Sequence, residues 1–158
     1  MTDVFTAEEV FQVAMALEET GQVFYEVMAV SCGHGRVAEM CRRLAVQEAE
    51  HYDQFKRMRE ALLEGTAGVP LSAAQVELVQ SMINERVVPD AETVRRRAAE
   101  GGLTETLRIA AQMERDSIDF YRKLLEVVDD DGARAVRRII AEEQDHIRII
   151  AEAAKSLG

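Results

Sequence analysis

Hydrophobic residues recur at intervals of three and four along four long stretches of the chain, which is the spacing of one face of an α-helix. These stretches predict helices over about residues 6–31, 37–64, 103–128 and 133–156. The segments "SCGHGR" and "DDDG" interrupt the pattern within each pair of helices and predict short turns. Four such helices with one apolar face each are typical of an all-α antiparallel four-helix bundle.

Residues 65–102, between the second and third long helices, are too many for a structureless loop in a compact domain. "LSAAQV" predicts a short helix that Ser72 caps and that runs to about Asn84, and "PDAET" predicts another that Asp90 caps and that ends near "EGG". A helix of ~25 residues is nearly 40 Å long. We therefore predict a partly helical crossover that runs from one end of the bundle to the other, within one domain spanning residues 1–158.

The two halves of the chain resemble each other. "LEETGQVFYE" (17–26) matches "MERDSIDFYR" (113–122), and "RLAVQEAEH" (43–51) matches "RIIAEEQDH" (138–146). Two copies of one helical hairpin predict a bundle with approximate twofold symmetry.

Composition and charge narrow the range of partners. Apolar residues make up 47% of the chain, and the net charge is −10, so binding to nucleic acid or to an anionic membrane by bulk electrostatics is not expected. The N-terminus does not resemble a signal peptide, and no apolar run approaches the ~18 residues of a membrane span. Two cysteines do not form a disulfide framework. A cytoplasmic protein is the expectation.

The apolar face of each long helix is interrupted near its middle by a glutamate, which a histidine accompanies in the second and fourth helices. The pairs Glu18/Glu48 and Glu114/Glu143 are separated by thirty and twenty-nine residues. In an antiparallel hairpin with a short turn, this separation places both members of a pair at about the same height. We therefore expect six side chains to meet in one layer of the core: Glu18, Glu48, His51, Glu114, Glu143 and His146.

Four buried carboxylates would lose several kcal/mol of hydration each and would repel one another. Two divalent cations balance four negative charges, and two neutral imidazoles complete the ligand set. The mixture of oxygen and nitrogen ligands suits iron or manganese, and zinc also binds such groups. The alternative is a polar core layer held by hydrogen bonds, in which His51 and His146 are ordinary core histidines. That alternative provides no adequate cation for the four glutamates.

The motif set "EETGQVFYE … QEAEH … ERDSIDFY … EEQDH" resembles the ferritin-like di-iron carboxylate superfamily, and rubrerythrin-like proteins most of all. The resemblance covers all four long helices. It implies a ferritin-like bundle that binds two iron ions, which Glu48 and Glu143 bridge. Glu18 with His51 would complete one metal site, and Glu114 with His146 the other.

Several features depart from the rubrerythrin pattern. Ser117 occupies the position of an additional glutamate, so the ligand set, with two Glu-x-x-His pairs, is closer to that of bacterioferritin. Gly21 and Ser117 are small and either leave room beside the metals or allow tight helix packing. The sequence contains no Cys-x-x-Cys pair of a rubredoxin module, and it ends at Gly158, before a fifth helix of the kind found in cage-forming ferritins. We therefore expect an external electron donor and no storage cage.

Four further residues are candidates for supporting the metal ligands. Tyr25 and Tyr121 lie two turns from the glutamates of the first and third long helices, and they either relay electrons, hydrogen-bond to a ligand or simply fill the core. Gln47 and Glu142 directly precede the two bridging glutamates. They either orient histidines on facing helices or lie on the helix flanks.

The sequence thus predicts a non-haem di-iron oxidoreductase that reduces hydrogen peroxide or, as a second choice, oxidises ferrous iron with O₂. The alternatives are an iron-handling protein without catalytic turnover, a structural bundle that zinc stabilises, and a di-iron hydroxylase. A homodimer is expected, because related bundles associate through their faces and the crossover is suited to exchange between chains.

Overall fold

The protein, seen in a computed structural model, is described at residues 7–65, 72–74, 76–77 and 91–158. Within these residues the regular structure consists of helices, without strands. The helices are α1 (Ala7–Ser31), α2 (Gly35–Gly65), α3 (Ala91–Glu100), α4 (Gly102–Leu124) and α5 (Asp130–Leu157). The predicted all-α fold is therefore confirmed. No described helix combines the length and the hydropathy that crossing a membrane requires.

The four long helices form two hairpins that pack side by side. α1 packs against α2 and α4 against α5, while contacts of α1 with α4 and of α2 with α5 join the hairpins. This arrangement places α2 diagonally opposite α4. The short α3 lies against α1 and the following helix α4.

The predicted crossover is described only in part. α3 corresponds to the predicted helix that ends near "EGG", and its predicted cap Asp90 lies outside the described residues. In the other predicted helix, residues 73–74 and 76–77 are helical, and the Val76 N–H donates to the Ser72 carbonyl at 2.9 Å. The remainder of that helix, to Asn84, lies outside the described residues, as does the first helix's predicted start at residue 6.

The prediction that the third long helix extends to residue 128 is wrong, because α4 ends at Leu124. Beyond it the backbone tightens: the N–H groups of Glu126 and Val127 donate to carbonyls three residues earlier. Val127 and Val128 nevertheless pack against the core. The turn after α4 thus continues to bury apolar side chains. The helical spacing of apolar residues in the sequence therefore extends beyond the end of the helix itself.

The last helix begins at Asp130, three residues earlier than predicted, because Asp129 caps it. Asp129 has extended backbone angles, and its side chain accepts a hydrogen bond from the Gly132 N–H at 2.7 Å. Asp130 and Asp131 place negative charge in the first turn, where the helix dipole favours it. The acidic run thus starts α5 and is not merely the turn before it.

The buried apolar residues divide into two clusters, one toward each end of the bundle. The first core cluster contains Val10, Phe11, Ala14, Met15, Phe55, Ile118, Phe120, Tyr121, Leu124, Val136, Ile139 and Ile140. The second contains Phe24, Tyr25, Met28, Ala29, Val37, Cys41, Leu44, Ala45, Leu107, Ala110 and Ile150. α1 and α4 pass through them in opposite orders, as antiparallel helices must. α2 therefore ends beside the first cluster, and α4 begins beside the second.

Substitution of Asp129 by Ala is expected to destabilise the protein by about 1 kcal/mol, because the Gly132 N–H in the first turn of α5 loses its side-chain acceptor. Asp129→Asn retains an acceptor and should lose much less. Urea unfolding of the metal-free variants measures both effects, and equal stability of wild type and Asp129→Ala would contradict the role of the cap.

Candidate metal centre

Six polar side chains occupy the layer between the two core clusters. The residues are those that the sequence pattern singled out: Glu18, Glu48, His51, Glu114, Glu143 and His146, each at most 4% exposed. Three-residue spacing places the glutamate and the histidine of α2, and likewise those of α5, on one helix face. No Lys or Arg is buried among the residues that the structure describes. The four carboxylates therefore have no buried basic side chain other than histidine beside them.

The six residues form two overlapping groups of four. One group comprises Glu18, Glu48, His51 and Glu143, and the other comprises Glu48, Glu114, Glu143 and His146. Within each group one ligand atom per residue lies within 4.8 Å of the others. Ligands on opposite sides of an ion at ~2.1 Å lie ~4.2 Å apart, so each group needs little adjustment to surround a cation.

Glu48 and Glu143 are common to both groups, and the carboxylate of Glu143 faces both histidines. Its Oε1 lies 3.1 Å from His51 Nδ1, and its Oε2 lies 2.8 Å from His146 Nδ1. The two imidazole rings are nearly parallel, with centroids 5.7 Å apart. This arrangement has the form that a bridging carboxylate between two ions requires.

Several polar atoms of the layer are buried without a hydrogen-bond partner in the described part of the chain. They are Glu18 Oε2, Glu48 Oε1, Glu143 Oε2 and both ring nitrogens of His146. His146 Nδ1 and Glu143 Oε2 lie 2.8 Å apart and still do not form a hydrogen bond. Buried polar atoms are rarely left unsatisfied in native proteins. Atoms that converge without bonding to one another are suited to bind a common cation, and the donor set fits a pair of divalent transition-metal ions.

The carboxyl groups of the layer are hard to ionise together without added positive charge. Burial raises the pKa of Glu48 well above its usual range, and the charge of Glu143 adds to this effect. The pKa of Glu143 is raised to about 8 by burial and then by the charges of Glu114 and Glu18. Protons or metal cations must therefore accompany the carboxylates into the core.

The histidines respond in the opposite way to burial. Burial by itself lowers the pKa of each ring, but nearby carboxylates outweigh it. A hydrogen bond with Glu143 and the nearby carboxylate of Glu18 raise the pKa of His51 to about 12. Interactions with Glu114 and Glu143 raise the pKa of His146 to about 10. In the metal-free protein the layer therefore attracts protons, and metal binding must release them.

The two predicted tyrosines connect the hairpins across the bundle. The Tyr25 hydroxyl on α1 donates a hydrogen bond to Glu114 Oε1 on α4, and the Tyr121 hydroxyl on α4 donates one to Glu18 Oε1 on α1. Burial, reinforced by these carboxylates, raises the pKa of both phenols well above 10, so both remain donors. Helical spacing indicated their nearness to glutamates. It did not show that each tyrosine bonds to the glutamate of the other hairpin.

The residues that precede Glu48 and Glu143 differ from each other in their contacts. Glu142 Oε2 lies 2.7 Å from His51 Nε2, across the interface between α5 and α2. Gln47 is half-buried and makes no such contact, since Nε2 of His146 has no hydrogen-bond partner among residues 7–65, 72–74, 76–77 and 91–158. The expectation that Gln47 orients a histidine is therefore not met in this structure: its amide does not reach the ring.

Gly21 makes room for Glu48. A Cβ at Gly21 would overlap Glu48 Oε2 and lie 3.1 Å from the carboxyl carbon. The sequence left open whether the small residue provides space beside the metals or tight helix packing. The space that it provides is filled by a predicted ligand. Ser117, at the equivalent place in the second half, is half-buried.

A solved structure shares this fold. The chain is similar over 100% of both chains, with a TM-score of 0.75 and 26% identity, to a crystal structure from Thermotoga maritima that is described as a candidate ferritin-like diiron-carboxylate protein. The bundle thus has the ferritin-like diiron-carboxylate fold, as predicted. The sequence also matches the Rubrerythrin family over residues 9–154, and the chain belongs to that family. No curated protein matches it.

Substitution of Gly21 by Ala is expected to displace the Glu48 carboxylate and to weaken metal binding at both overlapping sites. The change favours helix formation by up to ~1 kcal/mol, so a loss of binding would not reflect helix destabilisation. Gly35→Ala is the matched control, because its Cβ would meet open space. Anaerobic titration with Co²⁺, followed by absorption, compares the two variants. Unchanged binding by Gly21→Ala would contradict this account.

The metal-free protein is expected to lose stability as pH rises from about 5 to about 10. Glu143 and both histidines have raised folded-state pKa values, so the folded protein holds protons that the unfolded chain has already released. The free energy of unfolding must then fall with pH. Urea unfolding in the presence of a chelator measures it, and Glu143→Gln should flatten the slope below pH ~8. Stability that rises with pH under chelation would refute the assignment.

Proposed function

We propose that the protein is a non-haem di-iron oxidoreductase that reduces hydrogen peroxide. The observation that carries the proposal is the buried layer of four carboxylates and two histidines, whose atoms converge in two overlapping groups. Family membership supports redox-active iron in preference to other metals. The reaction is H₂O₂ + 2H⁺ + 2e⁻ → 2H₂O.

The ligand roles follow from the two groups. Glu18 and His51 would hold one iron ion, Glu114 and His146 the other, and Glu48 and Glu143 would contact both. When bound, the iron ions supply electrons to peroxide and act as Lewis acids toward its oxygen atoms. Manganese and zinc suit the same donor atoms, and family membership is what favours iron among them.

The protein's own groups position the ligands and keep bulk water out. Tyr121 holds Oε1 of Glu18 and leaves Oε2, 3.5 Å from His51 Nδ1, available to a cation. Core clusters on both sides of the layer bury it in apolar surroundings. Electrostatic interactions are stronger there than in water.

Electrons must come from a donor outside this sequence. The chain contains no Cys-x-x-Cys pair of the rubredoxin type, and its two cysteines are free thiols. Free thiols are typical of a reducing compartment, which supports a cytoplasmic location. Oxidation of ferrous iron by O₂ is the second candidate, because the two Glu-x-x-His pairs are the ligand pattern of bacterioferritin.

The homodimer remains a prediction. Val30 and Val46 are 89% and 59% exposed, and both line an open groove on the outer faces of α1 and α2. A second chain packed on these faces would cover them. Light scattering of the purified protein measures the mass directly.

Anaerobic reconstitution with Fe²⁺ is expected to yield about two irons per chain and repeated peroxide consumption when a reductant is supplied. Glu48→Ala should lose most of the iron and the activity, because both sites share this carboxylate. Glu50→Gln removes a charge from an exposed residue of the same helix and should leave both intact.

Other results would favour the alternatives. Two irons without steady-state peroxide consumption would favour ferroxidation or iron handling, and O₂ consumption with Fe²⁺ separates these two. Zinc retained through purification, together with melting that depends on it, would favour a structural bundle. Iron binding unaffected by Glu48→Ala would refute the metal centre itself.

A further inference from the structure

We propose that the two halves of the centre bind metal unequally, because Glu142 is a positioning residue for His51 and no residue that the structure describes has this role at His146. This inference rests on the proposed metal centre and adds to it an order of filling. The His51 half is expected to take a divalent cation first.

The contact between Glu142 and His51 reaches from the core to the surface. His51 is 1% exposed, whereas the Glu142 side chain is 39% exposed. Oε2 of Glu142 lies 2.7 Å from Nε2, while Nδ1 of the same ring faces Glu18 and Glu143. One nitrogen therefore faces the cation site, and the other donates to a carboxylate at the rim of the layer.

The other half lacks this support. Nε2 of His146 is buried, and none of the described residues hydrogen-bonds to it, although its Nδ1 faces the cation site in the same way. The repeat places Gln47 where the second half has Glu142, directly before the shared glutamate. At this matched position, the first hairpin thus carries an amide and the second carries a carboxylate.

A carboxylate that accepts the Nε2–H of an imidazole fixes the tautomer and leaves the Nδ1 lone pair for the metal. It also makes the ring a stronger donor. Loss of such a partner typically weakens metal binding about 10–100-fold. His51 has this advantage and His146 does not, so we expect two dissociation constants that differ about tenfold or more.

Anaerobic titration with Co²⁺ tests this inference on four proteins. Wild type should fill in two steps, for a total of two ions per chain. In Glu142→Gln both halves carry an amide. This change should weaken the first binding step about tenfold and so bring the two dissociation constants closer together. Gln47→Glu makes both halves acidic and should bring them together by strengthening the second step. Asp145→Asn, an exposed change of the same charge on the same helix, should leave both steps unchanged.

Gln47→Glu is the more stringent variant, because misfolding can lower the affinity for metal but cannot raise it. Ring ¹⁵N NMR during Zn²⁺ addition identifies which histidine responds first, and the inference requires His51. The inference would be overturned if the two dissociation constants of wild type were equal, or if their ratio were unchanged in both Glu142→Gln and Gln47→Glu. First binding at His146 would also overturn it. None of these results would contradict the metal centre itself. Failure of wild type to bind two ions would overturn the proposed centre instead.

Discussion

The organisation of this bundle depends on the burial of four carboxylates at mid-height, with no buried Lys or Arg beside them in the described part of the chain. Negative charge in an apolar core is tolerated only with protons or metal cations at hand. The pKa values of Glu48, Glu143 and both histidines are raised for the same reason, because the layer favours bound protons. A layer of this kind costs folding stability when it is metal-free, and binding energy from cations offsets that cost.

The rest of the fold holds this layer in place. Apolar clusters above and below fix the heights of the four helices, so that residues from distant parts of the chain meet. Tyr25 and Tyr121 connect the two hairpins through the outer carboxylates, each across the bundle. Gly21 leaves the space that the Glu48 carboxylate fills. Packing and polar contacts therefore position the ligands before any cation arrives, which is what preorganisation requires.

Approximate symmetry gives the centre its two similar halves, and departures from symmetry distinguish them. The repeat preserves glutamate, histidine and tyrosine in both hairpins but not the residue before the shared glutamate. In one half a carboxylate hydrogen-bonds to the imidazole, and in the other half the amide does not reach the ring. The two imidazoles therefore have different environments. Such a difference would let one ion remain bound while the other exchanges or reacts.

The sequence by itself determined the helices, the repeat and the heights at which Glu18, Glu48, Glu114 and Glu143 meet, because helical period and hairpin length depend on local spacing. It misjudged the end of α4, where an apolar turn continues the helical pattern. Only the tertiary structure decided which tyrosine bonds to which glutamate, that Gly21 faces Glu48, and that Glu142 reaches His51 while Gln47 does not reach His146. Those contacts depend on how neighbouring helices are rotated and offset against each other, and core packing sets that relation between residues far apart in the chain.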